Sequence, residues 1–281
     1  DDVISPHTLT MQSLEKVLTN SNNEFPTPFA KSLSVIDIFH RAGFHTKWIS
    51  NQNRAGIFDN QVSVIANSAD CIRFSSTRVG TDYEAEPDEV LLPMVDRALP
   101  ESQRNTLVFV HLMGAHWEYP RRVPIGYGTQ ESKQKAGLGG YDLAIRYGDS
   151  VLTKLIRKAQ DAGFDTVVFL SDHGESPHDG RRHNPGEYVP EMVEIPFLIW
   201  LSPAFREAHP ECALRIGRAC HRPYMTDDFF HTLIDLAGIQ SSAFDPTRSV
   251  VNDAFKVRPR RVIHGQIAYE PARDPHLSEG Q

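Results

Sequence analysis

The sequence predicts an α/β fold, a three-layer α/β/α sandwich built around a mainly parallel central sheet. Three observations lead to this prediction. Short runs rich in Val, Ile, Leu and Phe are apolar on both faces, as strands covered on both sides are. Segments whose apolar residues stand three and four positions apart separate these runs, and this is helical spacing. The chain has 281 residues, 40% of them hydrophobic, which is enough for a large core.

The elements alternate along the chain. We expect helices over residues 30–43, 89–100, 141–163 and 227–239, and strands over residues 44–50, 105–114, 166–172 and 194–203. The helix over 141–163 has the clearest signal, because its apolar residues keep helical spacing and Gly163 follows as a stop. The segment "EIPFLIWLSP" is almost wholly apolar, which is typical of a buried strand. Strands separated by helices favour the α/β class.

We expect a single domain over residues 1–281, in which residues 250–281 form a polar, peripheral tail. The formal net charge of −7 argues against a nucleic-acid partner, which would favour a basic face. No apolar run approaches 18 residues, so no membrane span is expected within this sequence. The opening "DDVISPHTLT" is typical of mid-domain sequence and not of a signal peptide. A first strand and a membrane-spanning region are therefore expected upstream of it.

The three cysteines do not indicate a thiolate metal site. Cys71, Cys212 and Cys220 form no Cys-x-x-Cys pair, which a zinc site of that kind would favour. Cys212 and Cys220 close a short loop and are expected to form a disulfide in an oxidising compartment. Two unrelated thiols are the alternative.

Polar clusters follow three of the predicted strands at their carboxyl ends. They are residues 50–52, 111–116 and 172–173. Ligands bind at this edge of parallel sheets, so we expect the clusters to share one rim. Asp172 and His173 offer one oxygen and one nitrogen ligand, a pair that suits Zn²⁺. Gly174 permits the backbone turn that would aim both side chains at one point.

Four segments resemble, in the same order, motifs of the alkaline phosphatase superfamily, in the branch that holds the phosphoethanolamine transferases of Gram-negative inner membranes. They are "VISPHTLTMQSLEKVLT" (3–19), "KWISNQNRAG" (47–56), "VFVHLMGAHWEYPRRVP" (108–124) and "VVFLSDHGES" (167–176). The segment "YDLAIRYGD" (141–149) is similar to a helix of the same group. Each motif is modest, but four in order are specific. The resemblance implies an alkaline phosphatase-like, sulfatase-like catalytic domain.

The resemblance also implies a nucleophile and a metal site. Thr10 matches the nucleophile at the start of a helix, with Thr8 as the competing candidate. A threonine at this position that merely caps the helix is the alternative. Asp172 and His173, together with Thr10, match the ligands of a zinc ion. The family supplies a further glutamate from an upstream strand, and no counterpart of it precedes Thr10 in this sequence.

Further residues match substrate-binding positions. His116 and His183 match two histidines that contact the phosphate or a second metal ion, and His178 competes with His183 for that role. Asn51 and Gln52 match a polar pair that lines the substrate pocket. Glu175 either orients a metal-binding histidine or faces solvent.

The function that the resemblance implies is transfer of phosphoethanolamine through a phospho-threonine intermediate. Thr10 would attack the phosphodiester of phosphatidylethanolamine, and lipid A, core oligosaccharide or another envelope glycan would accept the group. One or two zinc ions are expected in preference to Mn²⁺ or Mg²⁺. We expect a monomer at the periplasmic face of the Gram-negative inner membrane, attached through a region outside this chain.

The alternatives are a phosphoglycerol transferase or a phosphodiesterase of the same superfamily. A metal-free binding domain is a further alternative, because of the missing glutamate. A sulfatase is not expected, since none of the three cysteines begins a Cys-x-Pro-x-Arg motif.

Overall fold

A computed structural model of the chain describes residues 2–52, 60–76, 86–99, 105–128, 140–177 and 180–271. The helices are α1 (Thr10–Val17), α2 (Val35–Arg41), α3 (Asn60–Asn67), α4 (Leu91–Ala98), α5 (Tyr141–Asp161), α6 (Pro203–Ala208), α7 (Pro210–Arg218) and α8 (Phe229–Leu236). The strands are β1 (Val3–Ile4), β2 (His45–Ser50), β3 (Cys71–Phe74), β4 (Thr106–His111), β5 (Thr166–Leu170), β6 (Phe197–Leu201), β7 (Tyr224–Met225), β8 (Arg261–Val262) and β9 (Ile267–Ala268).

The chain groups into two compact units. The first unit comprises residues 1–33, 169–198 and 214–281, and the second comprises residues 34–168 and 199–213. Each is described by itself below. The single domain expected from the sequence stays a prediction.

The second unit contains a parallel sheet in the order β3-β2-β4. Strand β2 lies in the middle and is buried, and it includes Lys47, whose amine donates to the carbonyl oxygen of Ala98 at 2.6 Å. This bond satisfies a charge that would otherwise be costly to bury. The last residues of β2 and β4, Ser50 and His111, are paired. Two of the three polar clusters expected at strand ends therefore lie side by side.

Helices α4 and α5 supply most of one core cluster of the second unit. Their apolar faces meet in one cluster that includes Leu91, Val95, Tyr147 and Val151. The helix expected over 30–43 is shorter, because Ser34 begins α2 as a capping box: its hydroxyl accepts from a backbone N–H three residues later, and the acid there accepts in return. Such caps start helices irrespective of the apolar pattern before them.

The first unit has a separate core. Strand β1 runs parallel to β7, and Ile4 packs with Val193, Val262 and Ile263. The last two belong to the stretch expected as a peripheral tail, so for these residues the structure differs from the expectation. Arginines flank them on one side and His264 follows, so no apolar periodicity marks them in the sequence. Residues 272–281 of the expected tail lie outside the described residues.

Strands β5 and β6 also pair, and they run antiparallel. At one end the N–H of Ser171 donates to the carbonyl of Pro196 at 3.4 Å. At the other end the N–H of Ser202 donates to the carbonyl of Asp165 at 2.8 Å. The end of one strand thus meets the start of the other. The remaining pairs among β1 to β7 are parallel, and the predicted α/β class with mainly parallel strands is confirmed.

The expected disulfide is not formed. Cys212 lies on α7 and Cys220 in the helical turn Ala219–His221 that follows it, and no disulfide joins them. Eight residues of helical rise, at 1.5 Å each, place the two about 12 Å apart along the axis, whereas bridged Cα atoms stand at most about 7 Å apart. Within the described ranges, no helix combines the length and the apolar composition that crossing a bilayer requires.

Candidate active site

Helix α1 carries the expected nucleophile as its first residue. Leu9 precedes it in an extended backbone conformation, and no side chain caps the helix. Thr10 is therefore not a capping residue. The hydroxyl of Ser13, one turn further, donates to the carbonyl oxygen of Asp172. This bond attaches the first turns of the helix to the polar segment that follows β5.

The imidazole of His173 is held in one tautomer. Its Nδ1 lies 2.8 Å from the carbonyl oxygen of Gly174, and a carbonyl can only accept, so Nδ1 carries the proton. The lone pair is then on Nε2, as a metal ligand needs. The hydroxyl of Ser171 donates to the carbonyl oxygen of His173 at 2.7 Å. Backbone contacts thus orient the ring.

Gly174 has a steric role in this segment. Its N–H donates to the carbonyl of Met192 at 2.9 Å. A Cβ at this position would collide with the carbonyl oxygen of Glu191. The glycine is required because the backbone of residues 191–194 passes close beside it.

Two side chains converge on Nε2 of His173. The hydroxyl oxygen of Thr10 is 3.3 Å from this nitrogen, and Oδ2 of Asp172 is 3.5 Å from it. Two ligands placed about 2.0–2.1 Å from a tetrahedral zinc ion stand about 3.4 Å apart. The separations therefore match the edges of such a ligand set. With two oxygens and one nitrogen, the residues present fit Zn²⁺ in both chemistry and spacing.

His183 lies beside this cluster. Its ring centroid is 4.6 Å from that of His173, and its Nδ1 lies 2.9 Å from a carboxylate oxygen of Glu175. The side chain of Glu175 is 6% exposed, so it orients the histidine and does not face solvent. Donor atoms of these three residues lie within 4.8 Å of one another. His178, the competing candidate, lies outside the described residues.

Asn51, expected to line the pocket, is 1% exposed and its amide is engaged. Its nitrogen donates to the carbonyl of Glu86 at 2.7 Å and to the carboxylate of Asp88 at 2.8 Å. Its oxygen accepts from the hydroxyl of Ser75 at 2.7 Å. Both donor hydrogens are thus used within the protein, and the expected role of Asn51 in lining the substrate pocket stays a prediction. Gln52 is half-buried, and its amide is 3.5 Å from the carbonyl of Leu112.

Asp88 organises the loop that leads to His116. Its carboxylate accepts the N–H groups of Met113 and Gly114, each at 2.8 Å, in addition to the amide of Asn51. Burial raises the pKa of Asp88, while these hydrogen bonds act in the opposite direction. Nothing in the sequence around this acid distinguishes it from a surface aspartate at a helix start.

The predicted site residues thus fall into two groups. Thr10, Asp172, His173 and His183 come together in the first unit. Asn51, Gln52 and His116 belong to the second unit, where Nδ1 of His116 lies 3.4 Å from the carbonyl of the next residue. The catalytic and binding roles of all seven stay predictions. Sequence reasoning left the role of Glu175 open and did not identify Asp88 or Ser13.

Comparisons with known proteins identify related chains. The family model described as Sulfatase matches residues 1–239. Phosphoethanolamine transferase EptC of Escherichia coli O18:K1:H7 (strain RS218 / NMEC) is 29% identical over 279 residues, which cover 92% of this chain and 47% of that protein. The chain therefore spans about half the length of that curated relative.

Two solved structures are also similar. The C-terminal periplasmic domain of EcEptC from Escherichia coli, in complex with Zn, superposes with a TM-score of 0.83 at 28% identity, covering 93% of this chain and 77% of that one. A protein in the alkaline phosphatase superfamily from Vibrio parahaemolyticus superposes with a TM-score of 0.60 at 18% identity, covering 95% and 63%. The second likeness concerns the fold alone. Together they confirm the predicted alkaline phosphatase-like fold.

Proposed function

The chain belongs to the sulfatase family, and on this premise we propose that it transfers phosphoethanolamine from a phospholipid donor to a hydroxyl group of a cell-envelope glycolipid or glycan. One observation carries the proposal. The hydroxyl of Thr10, at the N-terminus of α1, lies 3.3 Å from Nε2 of His173 and beside Asp172. Similarity to EptC, a phosphoethanolamine transferase, supports the choice of transferred group.

Thr10 is the better nucleophile of the two candidates. Thr8 is fully buried and its hydroxyl has no hydrogen-bond partner among the described residues, whereas Thr10 is partly exposed and directed at His173. The N-terminus of a helix favours negative charge. Thr10 therefore occupies a position that stabilises both an incoming phosphate and its own developing alkoxide.

Thr10, Asp172 and His173 would hold a zinc ion, and the zinc complex of the EptC domain supports that metal. When bound, zinc supplies a Lewis acid that lowers the pKa of a hydroxyl in contact with it. The tautomer of His173 and the close packing at Gly174 hold the protein ligands for this role. The ligand atoms of His173, Glu175 and His183 lie close enough together to hold a second ion as well.

The reaction proceeds in two displacements. In the first, a bond forms between the hydroxyl oxygen of Thr10 and phosphorus while the bond from phosphorus to the diacylglycerol oxygen breaks, and the hydroxyl proton passes to the leaving oxygen. In the second, an acceptor hydroxyl attacks phosphorus, the bond to Thr10 breaks, and the threonine oxygen takes up the acceptor's proton. No oxidant or reductant is needed.

His183 is the proposed contact for the phosphate oxygens, and the phosphate-binding role of His116 in the second unit stays a prediction. Glu175 fixes His183 through Nδ1 next to the nucleophile, where an imidazole neutralises charge that builds up on the equatorial oxygens. A histidine in this position also relays the hydroxyl proton of Thr10 to the leaving oxygen. We place the enzyme at the periplasmic face of the inner membrane, as a monomer, with phosphatidylethanolamine as donor and lipid A or core oligosaccharide among its acceptors.

The test is to identify the group on Thr10. The zinc-loaded, full-length protein is incubated with phosphatidylethanolamine in detergent micelles, and the trapped adduct is located by peptide mass spectrometry. We expect phosphoethanolamine on Thr10, no adduct after Thr10→Ala, and a normal adduct after Thr8→Val, which removes the buried hydroxyl at constant volume. A glycerol-phosphate adduct from phosphatidylglycerol would favour the phosphoglycerol transferase instead. Release of the group to water without an acceptor would favour the phosphodiesterase.

A further inference from the structure

A strained turn near the C-terminus lies against the segment that carries Thr10. Ile263, His264 and Gly265 have backbone φ values of 52°, 57° and 75°. Left-handed backbone is uncommon outside glycine, and a β-branched residue in it is an outlier. Such conformations persist where the surrounding contacts impose them, often at functional sites. The turn lies beyond residue 239, where the family match ends.

Hydrogen bonds attach this turn to both sides of α1. The N–H of Ile263 donates to the carbonyl of Pro6 at 2.9 Å, just before the helix. Asn23, shortly after the helix, donates from its amide to the carbonyls of Pro6 and Arg261 at 3.1 and 2.9 Å. A Cβ on Gly265 would lie 3.0 Å from the carbonyl oxygen of Asn23. The turn is therefore closely fitted to the ends of the nucleophile segment.

His264 contacts the segment through a second histidine. Its ring packs edge-on against that of His7, with centroids 4.7 Å apart. His7 is 4% exposed, and its Nδ1 accepts the N–H of Leu9 at 3.1 Å. The hydroxyl of Ser5 donates to the carbonyl of His7 at 2.8 Å. Leu9 is the residue directly before Thr10, so the contacts lead in three steps from the C-terminal turn to the nucleophile.

His7 acts in this chain as a neutral acceptor. A protonated ring would present an N–H to the N–H of Leu9 and lose the bond. Burial lowers the pKa of His7 to about 4, and the neighbouring His264 and His173 contribute to the shift. The acceptor is therefore present throughout the neutral pH range.

We propose that His7, held in place by His264, is a positioning residue that directs the hydroxyl of Thr10 at its reaction partner. The proposal rests on the proposed function, because it concerns the same nucleophile. His7 determines the position of Leu9, and through it the first turn of α1. An isolated helix end would let that turn fray, whereas Thr10 must keep its place within a fraction of an ångström for attack.

The experiment compares His7→Ala, His7→Asn and His264→Ala in the zinc-loaded, full-length protein. The readout is the single-turnover rate of adduct formation on Thr10, together with KM for phosphatidylethanolamine and the melting temperature. An asparagine accepts an N–H two residues ahead through its side-chain oxygen, as Nδ1 of His7 does. It therefore preserves the acceptor and removes the ring. His209→Ala, at an exposed histidine of the second unit, is the matched control.

We expect His7→Ala to slow adduct formation by about 10- to 100-fold with little change in KM, since small displacements of reacting groups cost this much. His7→Asn should recover most of that loss, to within about threefold of the wild-type rate, because it restores the bond to Leu9. His264→Ala, at an exposed position, should slow the step by about three- to tenfold. His209→Ala should behave as wild type.

Three outcomes would overturn the proposal: His7→Ala at the wild-type rate, His7→Asn no faster than His7→Ala, or a rise in KM that accounts for the whole effect. Should His7→Ala not fold, His264→Ala decides, and a wild-type rate for it overturns the proposal. Failure of the proposed function is distinct, since the wild-type protein would then form no phosphoethanolamine adduct on Thr10.

Discussion

Substitution of Asp88 by asparagine tests whether one buried carboxylate holds the loop that leads to His116. The carboxylate accepts two backbone N–H groups and the amide of Asn51, all at 2.8 Å, and it is 5% exposed. Asparagine has the same shape but offers one oxygen in place of two. With that oxygen retained beside Met113 and Asn51, the new amide nitrogen faces the N–H of Gly114, so two donors meet.

The magnitude follows from these contacts. One hydrogen bond to a charged acceptor is lost, which is worth about 1.5–3 kcal/mol, and the partly buried N–H of Gly114 loses its partner, which costs up to about 1–3 kcal/mol. The raised pKa of Asp88 indicates that burying its charge is itself unfavourable. The neutral amide of asparagine avoids this cost, which offsets part of the lost stability. We expect a net loss of about 2–4 kcal/mol, or a fall in melting temperature of roughly 5–12 °C.

Thermal unfolding measures the loss, and Asp96→Asn is the matched control. Asp96 pairs with Lys158 on an exposed surface of the same unit, with 54% of its side chain accessible. Such pairs contribute at most about 1 kcal/mol. Equal melting temperatures for the two variants would refute the reasoning. In transfer assays, Asp88→Asn should add nothing to the defect of His116→Ala, because both act through the same loop, and an additive loss would show that they act independently.

Three further predictions concern the first unit and its ligands. Gly174→Ala should lower stability by about 1–3 kcal/mol and abolish the adduct on Thr10, whereas Gly148→Ala, where a Cβ meets nothing within 4 Å, should be neutral or stabilising; equal melting temperatures contradict this. His231 has a pKa lowered to about 4 by burial and by neighbouring arginines, so the unfolded state binds its proton first as the pH falls. The free energy of unfolding should drop by up to about 3 kcal/mol between pH 6.5 and 4. Denaturant titrations of His231→Gln over this pH range should show a smaller drop, and equal drops in the variant and the wild type would refute the prediction. Zinc at about 100 times its Kd should stabilise the protein by about 2.7 kcal/mol; chelation should remove this gain and Asp172→Asn should prevent most of it, and melting curves indifferent to zinc would exclude the metal site.

Most of the fold was predictable because its signals are local. The strand before Asp172 follows from a continuous apolar run, and the long helix α5 follows from apolar residues three and four positions apart, with Gly163 marking the end of the helix region. These patterns depend on the side chains of neighbouring residues and on no distant contact. The direction of β6 was not predictable, because a wholly apolar strand fits a sheet in either orientation.

The candidate site was predictable in part for a related reason. Thr10, Asp172 and His173 stand at the start of a helix and the end of a strand, where side chains converge in α/β proteins, and motif order connected them. Asn51 shows the limit of this reasoning. Its position at a strand end favours a role in binding, but its amide is used by a carboxylate 37 residues away, and no local pattern reveals such a partner.

What the sequence determined by itself was the class of fold, the order of its elements and the residue types at the strand ends, because these depend on short-range spacing and polarity. What tertiary structure alone decided was which of these groups touch. Glu175 contacts His183, Asp88 binds the loop before His116, and the ring of His264 packs against that of His7. A hydrogen bond or ring contact depends on positions to within a few tenths of an ångström. Those positions result from the packing of segments as much as 257 residues apart. They are therefore defined only in the folded chain and not by any local stretch of sequence.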